Sequence, residues 1–120
     1  ADILLPVAGP SGEGALQVAK SSNGKVASLW VDTDGCISQA QYCPVIPSSV
    51  GKAMDLAVFE AIKAAKNDTF TNELYLGTLA NNGAYLAPFH DWDSKVSADT
   101  KAELDKIKAD IIAGTIKTTA

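Results

Sequence analysis

Four short clusters in this chain carry side chains able to do chemistry. The first, Gly9-Pro10-Ser11-Gly12-Glu13-Gly14, follows an apolar run and opens a helical pattern. A turn of that composition lets backbone approach a ligand closely and aims free N–H groups at it. It has neither the Gly-Lys-Ser/Thr ending of a Walker loop nor the glycine spacing of a dinucleotide-binding turn, and Glu13 would repel a phosphate. The plain alternative is a tight turn. The second cluster is Asp32 with Asp34, at the end of another apolar run. Ligands of open parallel α/β sheets sit at the carboxyl ends of the strands. A carboxylate there accepts from two hydroxyls at once, as the vicinal diol of a ribose requires. A solvated acidic turn is the competing reading.

The third cluster, Ser49-Val50-Gly51-Lys52, fits Ser-x-x-Lys and reads as a helix N-terminus. In penicillin-recognising enzymes that spacing sets a lysine beside a nucleophilic serine. The companion Ser-Asp-Asn and Lys-Thr-Gly motifs are absent, and Lys117-Thr118-Thr119 does not replace them, so Lys52 reads better as a charged donor to a ligand. The fourth, His90-Asp91-Trp92-Asp93, offers one imidazole and two carboxylates. A lone histidine in a polar loop is ordinarily surface, and as the chain's single histidine it is the one place a Ser-His-Asp arrangement could form. No metal site is expected. Asn67-Asp68-Thr69 satisfies the glycosylation sequon, which matters only in a eukaryotic secretory host.

Cys36 and Cys43 lie in a stretch rich in Ser, Gln and Pro. Their spacing allows a small disulfide loop, which implies an oxidising compartment; two unrelated small residues are the alternative. Neither a CxxC pair nor nearby histidines complete a zinc ligand set.

These residues need elements to hold them. Residues 3–7 read as a buried strand, 12–21 as a short helix stopped by Asn23-Gly24, and 25–31 as a second strand. A loop over 36–47 leads to the strongest helical pattern, capped by Ser48 or Ser49. Its apolar face is Val50, Met54, Val58, Ala61, Ile62 and Ala65. Residues 73–79 and 83–88 read as strands around Asn81-Asn82-Gly83, a hairpin-like turn. Residues 98–113 form an amphipathic helix capped by Ser97 or Thr100 and stopped by Gly114, with Leu104, Ile107 and Ile111 inward. The order is α/β: a Rossmann-like, partly parallel sheet with flanking helices, over residues 1–120 as one unit.

The 120 residues are 47% hydrophobic and 20% charged, which suits one packed core and excludes disorder. The net charge is −4 with lysines scattered, so no basic track exists for nucleic acid. No apolar run approaches the ~20 residues that cross a bilayer. Residues 1–7 lack the basic flank of a signal peptide, and there is no initiator Met. The chain is therefore expected to begin at a processing site or a cut in a longer protein.

Three segments together, Ala1-Asp-Ile-Leu-Leu-Pro-Val-Ala-Gly9, Trp30-Val-Asp-Thr-Asp34 and Ser48-Ser-Val-Gly-Lys52, resemble the basic membrane lipoprotein (nucleoside-receptor) family of substrate-binding proteins. Asp55-Leu-Ala-Val-Phe59, Gly77-Thr-Leu79 with Gly83-Ala-Tyr-Leu-Ala87, and Ile111-Ile-Ala-Gly114-Thr-Ile116 match the family's closing pattern, so the resemblance spans essentially the whole chain. It implies the C-terminal part of a type I periplasmic-binding fold, with the N-terminal lobe absent. It also implies solute binding, of a nucleoside, for an ABC importer, with no chemistry and no cofactor. The partners implied are the ligand and the transporter permease, and the place is extracytoplasmic, on a lipid-anchored cell-surface or periplasmic protein.

Carried over by position, Ala8 and Gly9 would meet base or ribose through backbone. Asp32 would accept from ribose hydroxyls, Lys52 would donate to the ribose or pair with Asp32, and Asp34 would hold the loop. Trp30 stands where the family usually has Gly, and Gly35 where it usually has Gln. The same resemblance leads us to expect that residues 73–88 expose strand edges and promote self-association. The other functional class is a stand-alone α/β interaction or regulatory domain.

Overall fold

A computed structural model describes residues 1–118; Thr119, the end of the Lys117-Thr118-Thr119 stretch, and Ala120 lie outside the described residues. β1 (Ile3–Leu4) is shorter than the run that predicts it, since Pro6 has no N–H to donate to a ladder, and the run is not buried as expected: Ile3, Leu5 and Val7 are exposed. A 3-10 turn over Gly9–Gly12, entered through Gly9 at φ +53°, leads into α1 (Glu13–Ser21), which buries Leu16 and Ala19. The Ser22 hydroxyl closes α1 by donating to the Ala19 carbonyl at 2.7 Å and accepting from the Val26 N–H at 2.9 Å. Asn23 and Gly24, both at positive φ, then reverse the chain.

The second strand pairs on two sides in turn. β2 (Ala27–Ser28) lies parallel to β1, and β3 (Trp30–Asp32) lies parallel to β4 (Ser49–Lys52). Leu29 N–H donates to the Leu4 carbonyl and Trp30 N–H to the Ser48 carbonyl. Successive N–H groups of a strand point opposite ways, so residues 27–32 join β1 on one edge and β4 on the other. β5 (Ala84–Leu86) lies antiparallel to β4 and completes a three-stranded sheet in the order β3-β4-β5, beside the two-stranded β1-β2 pair. The result is a small α/β arrangement with partly parallel strands. Between β3 and β4 run α2 (Gly35–Ser38) and a 3-10 turn over Ala40–Val45, where a single loop was expected. α3 (Met54–Lys66), a 3-10 turn over His90–Lys95 and α4 (Ala98–Ile112) complete the chain's helical elements among the described residues.

Leu16, Trp30, Tyr42 and Ile46 form the core cluster. Trp30 fits because its neighbours are bare: a Cβ on Gly35 would lie 2.8 Å from Trp30 Cβ and 2.9 Å from Ile46 Cδ1. The bulk at position 30 and the glycine at position 35 therefore go together.

Three expectations are corrected. Ser48 and Ser49 do not cap a helix; both are buried in or beside β4, and α3 starts at Met54 after an uncapped Ala53. Val50 pairs with Val31 on one side and Leu86 on the other, so ladder bonds on both edges override the local cap signal. Residues 73–79 form no strand. The turn at 81–83 is present, because Asn81 Oδ1 accepts from the N–H groups of Thr78 and Gly83, but it precedes β5 without making a hairpin. The α4 face expected to be inward is not buried: no α4 residue is, and Ile107 is exposed; the apolar face of α3 is likewise open, with Met54, Val58 and Ile62 all exposed. α4 is N-capped by Ser97 through the Thr100 N–H, and Gly114 at φ +75° lies just past its end.

The accessible surface is 8241 Å², against about 6,200 Å² for a compact protein of this mass. The radius of gyration is 16.7 Å, where about 13.6 Å is usual for this length. A group of exposed large apolar side chains lies on α3 and residues 70–76, where Phe59, Phe70 and Leu76 are exposed and Leu74 is 90% exposed. No helix among the described residues is long and apolar enough to cross a membrane.

Candidate functional site

The site is at the carboxyl end of β3. Side chains alternate along a strand, so Asp32 should share a face with Trp30, and Lys52 with Val50 on the opposite face. Asp32 breaks the alternation because its backbone is left-handed, φ +70°, a conformation that Asp tolerates better than most residues. Its carboxylate then meets the Lys52 ammonium at 2.7 Å. Both side chains keep contact with water, 40% exposed for Asp32 and 69% for Lys52. The second carboxylate oxygen and the remaining ammonium protons therefore stay open to a ligand.

Beside the pair is a hollow of about 220 Å³. The backbone of Gly9 and Pro10 forms one side, Trp30 and Asp32 the floor, and Ser38 and Gln39 the far side. Glu13 reaches into it and accepts from Gln39 Nε2 at 3.0 Å. Two roomier hollows lie elsewhere, one between β5 and α4 and one between α3 and residues 69–75. Neither contains a residue of the four clusters, although Thr69 of the glycosylation sequon lines the second.

No protein-family model matches this chain, and no curated protein matches it. What the site can do is set by its donors and acceptors. Of the five residues carried over to the binding site, Gly9 and Asp32 line the hollow and Lys52 pairs with Asp32 at its edge. Ala8 is exposed and does not line it.

Asp34 is part of the support. Its Oδ1 accepts from Cys36 N–H at 3.0 Å, capping α2, and its Oδ2 lies 2.8 Å from His90 Nε2. His90, read from the sequence as plain surface, thus ties the 3-10 turn before α4 to the loop after β3. No local pattern could have shown it across 56 residues. Cys36 Sγ is also near these two groups. It is bonded to Cys43 and supplies no thiolate, which leaves too few ligands for a metal.

Ser49 is structural as well. It is 1% exposed, and its hydroxyl accepts from Gly35 N–H at 2.9 Å, fixing the β3–α2 loop against β4. Ser49 and Lys52, three apart on a strand, point to opposite faces, so no serine–lysine nucleophile forms. The expected disulfide is present between Cys36 and Cys43.

Proposed function

We propose that this chain supplies one wall of a binding cleft for a neutral, hydroxyl-bearing solute, a nucleoside being the ligand that the family resemblance implies, and that it performs no chemistry. The observation that carries the reading is the Asp32–Lys52 pair at the edge of the hollow formed by Gly9 and Trp30. A carboxylate next to an ammonium offers an acceptor and donors at the separation of vicinal hydroxyls. Glu13 and Asp32 together make the hollow unsuited to a phosphate.

Two further features support a two-lobed, type I periplasmic-binding architecture serving an ABC importer. The hollow is smaller than the roughly 300–1,000 Å³ of a complete small-molecule site. The exposed apolar group on α3 and residues 70–76 is the kind of surface a second lobe covers. The disulfide supports an extracytoplasmic setting. The same apolar group is also what a stand-alone interaction domain would present, and that is the second reading.

A single wall binds weakly, so the test is an NMR titration with adenosine, guanosine, inosine and cytidine at about millimolar concentration. Amide shifts centred on Gly9, Asp32 and Lys52 are expected with at least one of them. No shift at these residues with any of the four would remove the nucleoside assignment.

A further inference from the structure

We infer that the Cys36–Cys43 disulfide ring is the positioning element for the far wall of the hollow, so that its redox state controls whether the hollow is formed. The inference rests on the binding reading above only for its functional consequence; its structural content stands apart.

The wall residues Ser38 and Gln39 lie inside the ring. Each makes one contact across the hollow. Ser38 Oγ lies 2.8 Å from Thr33 Oγ1, and Gln39 Nε2 donates to Glu13. Beyond these they are held by bonds within the segment itself, from the Ser38 N–H and Oγ to the Asp34 carbonyl, from the Gln39 N–H to the Gly35 carbonyl and from the Tyr42 N–H to the Gln39 carbonyl. α2 is four residues long, a single turn that cannot persist alone in water. Ile37 is 77% exposed, and Ala40 and Gln41 are exposed too. Lys20 Nζ reaches the Gln41 carbonyl only at 3.3 Å, from an exposed position.

The firm anchors lie at the two ends. Asp34 and Ser49 grip the start of α2. Buried Tyr42 and Ile46, with Trp92 Nε1 donating to the Pro44 carbonyl at 3.0 Å, fix the chain on the far side of the ring. The disulfide joins these ends covalently and closes residues 37–42 into a ring that the anchors alone leave open. Both cysteines are half-buried, within reach of a small dithiol. Reduction breaks the S–S bond and places two electrons and two protons on Cys36 and Cys43 as thiols. The dithiol leaves as its own disulfide.

The experiment compares the oxidised protein, the protein reduced with a dithiol, and the Cys36→Ser/Cys43→Ser double variant. Amide hydrogen exchange reads the wall through Gln39, whose N–H donates to the Gly35 carbonyl at 2.8 Å, and the core through Leu16. The expected result is exchange at Gln39 faster by at least about tenfold on reduction and in the double variant, with Leu16 unchanged. The nucleoside-induced shifts at Gly9 and Asp32 should disappear in the same samples. Unchanged exchange at Gln39, or equal acceleration at Gln39 and Leu16, overturns the inference whether or not nucleosides bind. Equal nucleoside shifts in oxidised and reduced protein also overturn it. If even the oxidised protein shows no shifts, the nucleoside reading fails, and the exchange data alone decide the role of the ring.

Discussion

Replacing Asp32 by Asn separates a ligand-binding role from a structural one. Asn also tolerates the left-handed backbone at φ +70°, so the substitution removes the charge without adding strain. The pair with Lys52 is largely exposed, 40% and 69%, and exposed ion pairs contribute about 0.2–1 kcal/mol to stability. Unfolding in urea should therefore change by less than about 1 kcal/mol, a few degrees in Tm. Binding should change far more. Each hydrogen bond to a charged group contributes about 1.5–3 kcal/mol, so losing the charge from two hydroxyl contacts should weaken affinity by roughly a hundredfold. At about millimolar ligand, the shifts at Gly9 would then vanish. Lys52→Met should behave in the same way, and the double variant should be no worse than either single one, since the two groups act as a unit. An Asp32→Asn protein that binds like the parent, or that loses several kcal/mol of stability, would refute this account of the site.

Three other outcomes are expected. Gly35→Ala forces a methyl against Trp30 and Ile46 and should cost about 1–3 kcal/mol in urea unfolding, with quenching of Trp30 fluorescence altered. Ser97→Ala removes the side-chain cap of α4 and should cost about 1 kcal/mol, read as a lower Tm. Light scattering should show concentration-dependent association of the chain, and Phe59→Asp with Leu74→Asp should abolish it; a monomer at all concentrations would count against a docking role for this face.

Much of the site was readable along the chain because its signals are local. Strand ends rich in Asp, a glycine-rich turn between an apolar run and a helix, and two cysteines seven positions apart each depend on residues within one turn or one loop. The α4 cap at Ser97 and the stop at Gly114 are of the same kind. Ser48 and Ser49 misled because serine before an apolar periodic run is a genuine cap signal. The same residues, however, gain ladder bonds to β3 and β5 once those strands arrive. The apolar stripe of α3 was also correctly periodic, but periodicity says that a face is apolar and not what covers it.

The α/β order, the helical extents of α1 and α4 to within a residue or two, and the acidic strand end with a lysine two elements later were all legible in the order of residues. These features arise from backbone preferences and side-chain period, which act over a few residues. Three others came from packing: Asp32 swings to Lys52, Asp34 meets His90, and Ser49 is a buried acceptor for Gly35. Those outcomes depend on which strands lie side by side and on one left-handed residue at a strand end, and contacts across 14 to 56 positions leave no mark on local composition.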